Sequence, residues 1–152
     1  MKAKINLDIV SIQGDGFHVF FYGKINDTSV RLLIDTGASR TVLDKAFVNT
    51  LKDTATHIND TPATGLGGSG IETEVANIAK FEIDNLILES IDMAVIDLSH
   101  VNQMYESIGI ENINGVLGGD ILMNYNAVIQ YKKRSLKLSL KKSNKNKSTK
   151  PV

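Results

Sequence analysis

A chain of 152 residues, 42% apolar and 22% charged, has the size and profile of one globular domain. Seventeen basic residues balance 17 acidic ones, so neither nucleic acid nor membrane is expected as a partner. With no cysteine, disulfide frameworks, thiol catalysis and cysteine-ligated zinc are excluded. The opening MKAKINLDIV has no continuous apolar leader segment, and no window approaches the roughly 18 apolar residues of a spanning helix, so a cytoplasmic location is expected.

In chain order, GFHVFFYGKINDTSVRLLI reads as two β-rich runs flanking Asn26-Asp27-Thr28, a polar cluster suited to a hairpin turn. Asp35 then falls at a strand's end. LDKAFVNTL fits a short helix with Asp44 as its cap. HINDTPATGLGGSGIE is expected to be a mobile glycine-rich loop. IETEVANIAKFEIDNLILESIDMAVIDL offers β-branched runs broken at Asp84-Asn85; strands are preferred, although Ile71, Val75 and Ile78 also fit helical spacing. SHVNQMYESIG looks helical, and INGVLGGDILMNY gives a short strand, two glycines and Asp120 placed to cap a brief helix. AVIQY and SLKLSL close the chain as strands around Lys132-Lys133-Arg134. The last 12 residues, 141–152, carry five lysines and no acid; they read as a disordered, solubilising tail and leave residues 1–140, the expected domain, at a net charge of −5. Many short strands with little helix predict a mainly β fold, a small closed barrel or a sandwich.

The stretch VRLLIDTGASRTVLD sets a carboxylate after an apolar run. Such an acid is usually desolvated, which disfavours its charged form unless donors surround it. Gly37 permits a tight turn, Thr36 supplies a hydroxyl, and Ala38 and Ser39 allow close approach, so the segment is a plausible nest for a carboxylate. The bland alternative is an aspartate that ends a strand and bonds its own turn. A second signature follows about eighty residues on, GVLGGDIL, with Val116 and Leu117 before Gly118.

Together LLIDTGAS and GVLGGDIL resemble the retropepsin-like aspartic proteases, single-lobed relatives of pepsin, over about Phe17 to Leu140. The resemblance implies a mainly β acid protease fold, a small closed barrel with a flap hairpin and short helices, assembled as a two-fold homodimer. Position by position it makes Asp35 the catalytic aspartate, Thr36 the residue interlocking two active-site loops, and Gly37 the shaper of the loop. Ala38 and Ser39 become substrate contacts. Gly65, Leu66, Gly67, Gly68, Ser69 and Gly70 become the flap tip, and Val116, Leu117 and Gly118 the brace behind the acid. Two departures touch substrate-edge contacts and the pairing of dimer ends: retroviral members often carry an acid where Ser39 stands, and the lysine-rich tail has no counterpart in their compact termini.

Peptide hydrolysis in this class uses two carboxylates on one water, one as base and one, protonated, as acid. One Asp-Thr-Gly exists here, so an isologous dimer with Asp35 beside its own copy is expected. Two charges about 4 Å apart at an effective dielectric near 20 repel by roughly 4 kcal/mol, enough to keep one shared proton on the pair over a broad acidic-to-neutral range. The substrate class is peptide or protein, and no cofactor or metal is expected. A catalytically silent dimerising and peptide-binding module is the alternative.

Several other patterns are set aside. GLGGSG satisfies a dinucleotide-binding fingerprint, with Asp84 near the expected distance, but TPAT precedes it and a β-rich run follows. Asp-Thr-Gly also resembles phosphate-binding turns of far longer sugar kinases. His18, His57 and His100 are scattered without zinc-ligand spacing, and Ser69 lacks the context of a hydrolase elbow.

Overall fold

The structure is a computed structural model that describes residues 2–52, 54–59 and 73–140. Eleven strands and three short helices are found among them. The predicted hairpin joins β3 (Phe17–Ile25) to β4 (Thr28–Ile34) through Asn26 and Asp27, whose φ angles are 46° and 67°. Two residues in the left-handed region match a turn whose twist suits the flanking strands. Before it lie β1 (Lys2–Asn6) and β2 (Asp8–Ser11), whose few alternating residues gave no strand signal of their own.

After Asp35 the chain forms β5 (Val42–Asp44), α1 (Lys45–Val48) and β6 (Thr56–Asn59). β6 corrects the expected loop at its start: His57 to Asn59 pair in register with β7 (Thr73–Ile83), and ladder bonds outweigh the weak local propensity. β7 turns through Asp84, at φ 52°, into β8 (Leu86–Ile96), so the strand reading holds over the helical one. Then come α2 (Ser99–Ser107), β9 (Gly115–Leu117), α3 (Gly119–Asn124), β10 (Val128–Gln130) and β11 (Ser135–Ser139).

Hydrogen bonding orders the larger sheet β2-β3-β4-β9-β5-β8-β7-β6, and an extra β3–β7 pairing closes six of its strands into a barrel. Closure depends on Gly23, where a Cβ would lie 2.8 Å from the Glu82 carbonyl. The Asn26 turn is pinned to the same strand: the Lys80 N–H donates to Asn26 Oδ1 at 3.0 Å, and the Lys80 ammonium meets Asp27 at 2.7 Å. Phe21, Ile25, Leu32, Leu43, Ile78, Phe81 and Leu117 are fully buried in the core this encloses. A smaller cluster of Phe20, Leu98, Tyr105 and Ile113 packs under α2, where Asn102 exchanges two hydrogen bonds with the Ile113 backbone and fixes the chain entering β9. The remaining strands form a separate sheet, β1-β11-β10.

Asp44 corrects the sequence reading. It occupies the cap position of α1 but makes no capping bond; its buried Oδ1 accepts the Leu98 N–H at 3.0 Å. The side chain joins β5 to the start of α2 instead of closing a four-residue helix. Asp44→Ala is therefore expected to cost about 1–3 kcal/mol by orphaning a buried N–H, read as a lower midpoint in urea unfolding.

Candidate active site

β9 lies between β4 and β5, parallel to the first and antiparallel to the second. Residues 35–41, which connect β4 to β5, must therefore cross the carboxyl end of β9. The Asp35 N–H donates to the Leu117 carbonyl at 3.0 Å, extending the β4–β9 ladder to the acid itself. The chain then folds tightly: the Ala38 N–H donates to the Asp35 carbonyl at 3.1 Å, and the Gly37 N–H donates to Asp35 Oδ1 at 2.9 Å. Oδ2 has no hydrogen-bond partner among the described residues.

Asp35 is exposed, contrary to the desolvation expected of an acid ending an apolar strand. Val30 and Leu32 point into the barrel and Leu33 packs against the smaller cluster under α2, while β4 ends at Ile34 and, one ladder bond further on, the carboxylate stands at the rim. Thr36, Gly37 and Ser39 are also exposed, and Ala38 is half-buried. The Thr36 hydroxyl has no partner among the described residues. The expected flap tip, Gly65, Leu66, Gly67, Gly68, Ser69 and Gly70, lies outside the described residues.

Beneath the loop, α3 presents its first turn. The Gly119 N–H donates to the Ala38 carbonyl at 2.7 Å and the Asp120 N–H to the Ser39 carbonyl at 3.2 Å. Asp120 is a second correction: Gly118 holds the cap position, and Asp120 stands in the first turn with its Oδ1 accepting the Thr41 N–H at 2.9 Å and the Thr41 hydroxyl at 2.8 Å. The same hydroxyl accepts the Gly118 N–H at 3.1 Å. Buried Thr41 thus ties loop to helix, a role with no signature in the sequence because both partners lie nearly eighty residues away. Thr41→Val, close in shape, is expected to cost about 2–3 kcal/mol in unfolding stability by stranding the Gly118 N–H and one bond to a charged acceptor.

The sequence from Phe21 to Ile121 matches the model of a family described as aspartyl protease. That span covers most of the chain and contains both the acid loop and its brace. The chain belongs to the aspartyl protease family. No curated protein matches it in sequence. Among solved structures, this aspartyl protease is similar to a retropepsin-like aspartic protease from Rickettsia conorii, at 18% identity and a TM-score of 0.55, over 92% of this chain and 91% of that one. EIAV protease complexed with the inhibitor HBY-793 aligns at 24% identity and 0.48, over 75% and 92% respectively. The retroviral protease-like domain of Ddi1 from Leishmania major aligns at 14% and 0.47, over 84% and 96%. The six-strand barrel is the retropepsin-like fold that the sequence resemblance implied.

Two buried titratable groups of the aspartyl protease lie outside the loop, one on β4 and one on α2. Arg31 is buried on β4 with its guanidinium 4.1 Å from the Phe20 ring centre and bonded to Asp8 at 3.0 Å. Tyr105 is the fully buried residue of α2, its hydroxyl 2.8 Å from His18 Nδ1. Burial pushes the Tyr105 phenol above its usual range; the Arg31 charge opposes that shift and the Asp35 charge adds to it. A raised folded value means that Tyr105 stabilises the fold fully below the ordinary tyrosine pKa of about 10, and that this contribution is lost as pH rises through the folded value. Alkaline titration followed at 295 nm should show a late-ionising phenol that disappears in Tyr105→Phe, leaving that of Tyr22, whose hydrogen bond to Glu111 raises it as well.

Proposed function

We propose that the protein is an aspartic-type endopeptidase in which a water molecule held between two Asp35 carboxylates, one from each subunit of a homodimer, attacks the scissile carbonyl of a peptide or protein. One carboxylate takes the water proton while its protonated twin donates to the carbonyl oxygen, so no acyl-enzyme forms and no cofactor is needed. The observation that carries the reading is the state of Asp35 in the single chain: exposed at the rim, fixed by one backbone donor on Oδ1, and with no second acid bonded to it among the described residues. Asp120, the other acid close in the fold, is committed to Thr41.

In this reading Thr36 interlocks the two loops across the axis, Gly37 orients the acid, and Ala38 and Ser39 line the substrate cleft. Gly65, Leu66, Gly67, Gly68, Ser69 and Gly70 close over an extended peptide. Family membership and the intact Asp35-Thr36-Gly37 loop support an enzyme over a silent peptide-binding module.

The test is turnover of a peptide library from acid to neutral pH, with a pepstatin-type transition-state mimic in parallel, on protein whose mass is followed by sedimentation. Cleavage by a dimer is expected. Peptide binding without cleavage at any pH would favour the silent module, and cleavage by a monomer would refute the paired site.

A further inference from the structure

All 17 acidic residues lie between Asp8 and Asp120, a stretch with six cations. The flanking segments, 1–7 and 121–152, hold the other 11: Lys2, Lys4, Lys132, Lys133, Arg134, Lys137 and the five lysines after Leu140. A neutral chain is thus divided into a part at −11 and two ends that total +11. The fold joins those ends, because β1 pairs with β11 and β11 with β10 in the three-stranded sheet.

The ladder assigns the faces. Ala3, Leu136 and Leu138 are buried on the inner side, and Lys2, Lys4 and Lys137 are exposed on the outer side. Lys4 stands directly opposite Lys137, and Lys137 directly opposite Val128. Like charges in opposed positions weaken a sheet, and none of the three lysines has an ion-pair partner among the described residues. One acid borders them: Asp84, whose Oδ2 accepts the Lys4 backbone N–H at 3.4 Å and which lines a shared groove with Lys2 and Lys137. Exposed apolar groups lie on the same sheet and turn, Val128 at 47% and Tyr131 at 62% exposure.

We infer that the outer face of the β1-β11-β10 sheet docks the protein on an anionic lipid surface. Ten of the 11 cations are lysines. A lysine ammonium is a point charge without the planar fork that reads a phosphate or base edge, so the patch suits a partner recognised by charge density alone. Val128 and the amphipathic Tyr131 suit the boundary between headgroups and acyl chains. Nucleic acid shares the charge but would be expected to draw more heavily on arginine. This revises the expectation of no membrane partner, which rested on global neutrality and on the tail alone; no helix among the described residues is long and apolar enough to span a bilayer. The inference is independent of the peptidase reading.

The test is co-sedimentation of the full chain with vesicles of phosphatidylcholine containing a quarter phosphatidylglycerol, at low salt. Binding is expected, weakening as salt rises and absent on pure phosphatidylcholine. Removing three lysine charges in a Lys2→Gln, Lys4→Gln, Lys137→Gln variant should weaken it about 100-fold, at about fivefold per charge. Lys132→Gln with Lys133→Gln, in the exposed turn, should weaken it about 25-fold and serves if the first variant fails to fold, as judged by a thermal melt. No binding by the wild-type chain, or binding unchanged in both variants, would overturn the inference; so would tighter binding to a duplex DNA of 30 base pairs than to the vesicles.

Discussion

Asp35→Asn should abolish peptide cleavage, by at least about 10³-fold, with no loss of folded stability. The two halves of that result have separate causes. Asn keeps an Oδ1 acceptor, so the 2.9 Å bond from the Gly37 N–H survives, and the position is exposed, so no packing is disturbed. What disappears is a group that can take and return a proton. Turnover on a peptide substrate and a thermal melt of the same sample read the two effects apart. Mixing the variant with an equal amount of wild-type chain sharpens the test. With free subunit exchange, about a quarter of the dimers carry two acids, so activity per chain should fall to about a quarter of the pure wild-type value. A site complete within one chain would leave one half.

The elements that were legible in the sequence are those whose information is local. Asn26-Asp27 specifies its own hairpin through left-handed backbone, and the alternation in 73–96 specifies two long strands. Asp35 was placed correctly at a strand end and its loop correctly beside Val116, Leu117 and Gly118. Where partners are distant in sequence, local reading failed. Thr56–Asn59 is a strand because β7 offers it a ladder, and Asp44 and Asp120 look like helix caps until the fold delivers Leu98 to one and Thr41 to the other. The exposure of Asp35 was missed for a related reason: apolar neighbours in sequence say nothing of where a ladder stops. The charge division was present in the composition of the ends, but its meaning required β1 and β11 to be adjacent.

Gly118→Ala is expected to damage both stability and activity while leaving Asp35 itself in place. A Cβ there would lie 2.5 Å from the carbonyl carbon and oxygen of Arg40 and 2.9 Å from the Ala38 oxygen. All three atoms are backbone, so no flexible side chain can yield. Nor is the conformation at issue, since Gly118 has φ −107°, which any residue adopts. The clash must lift the loop away from α3, stretching the Gly118 N–H bond to Thr41 and the Gly119 N–H bond to Ala38 together. About 3 kcal/mol of destabilisation is expected from overpacking against a rigid neighbour. A loop raised by about 1 Å would lower cleavage about 100-fold even in molecules that remain folded. Gly119→Ala is the matched control: its nearest neighbour, the same Ala38 oxygen, would be at 3.4 Å, an ordinary contact, and alanine favours the first turn of a helix. Urea unfolding and turnover of the pair should differ sharply. Equal losses in both variants would mean that the crossing of the acid loop over β9 is not what holds Asp35 in place.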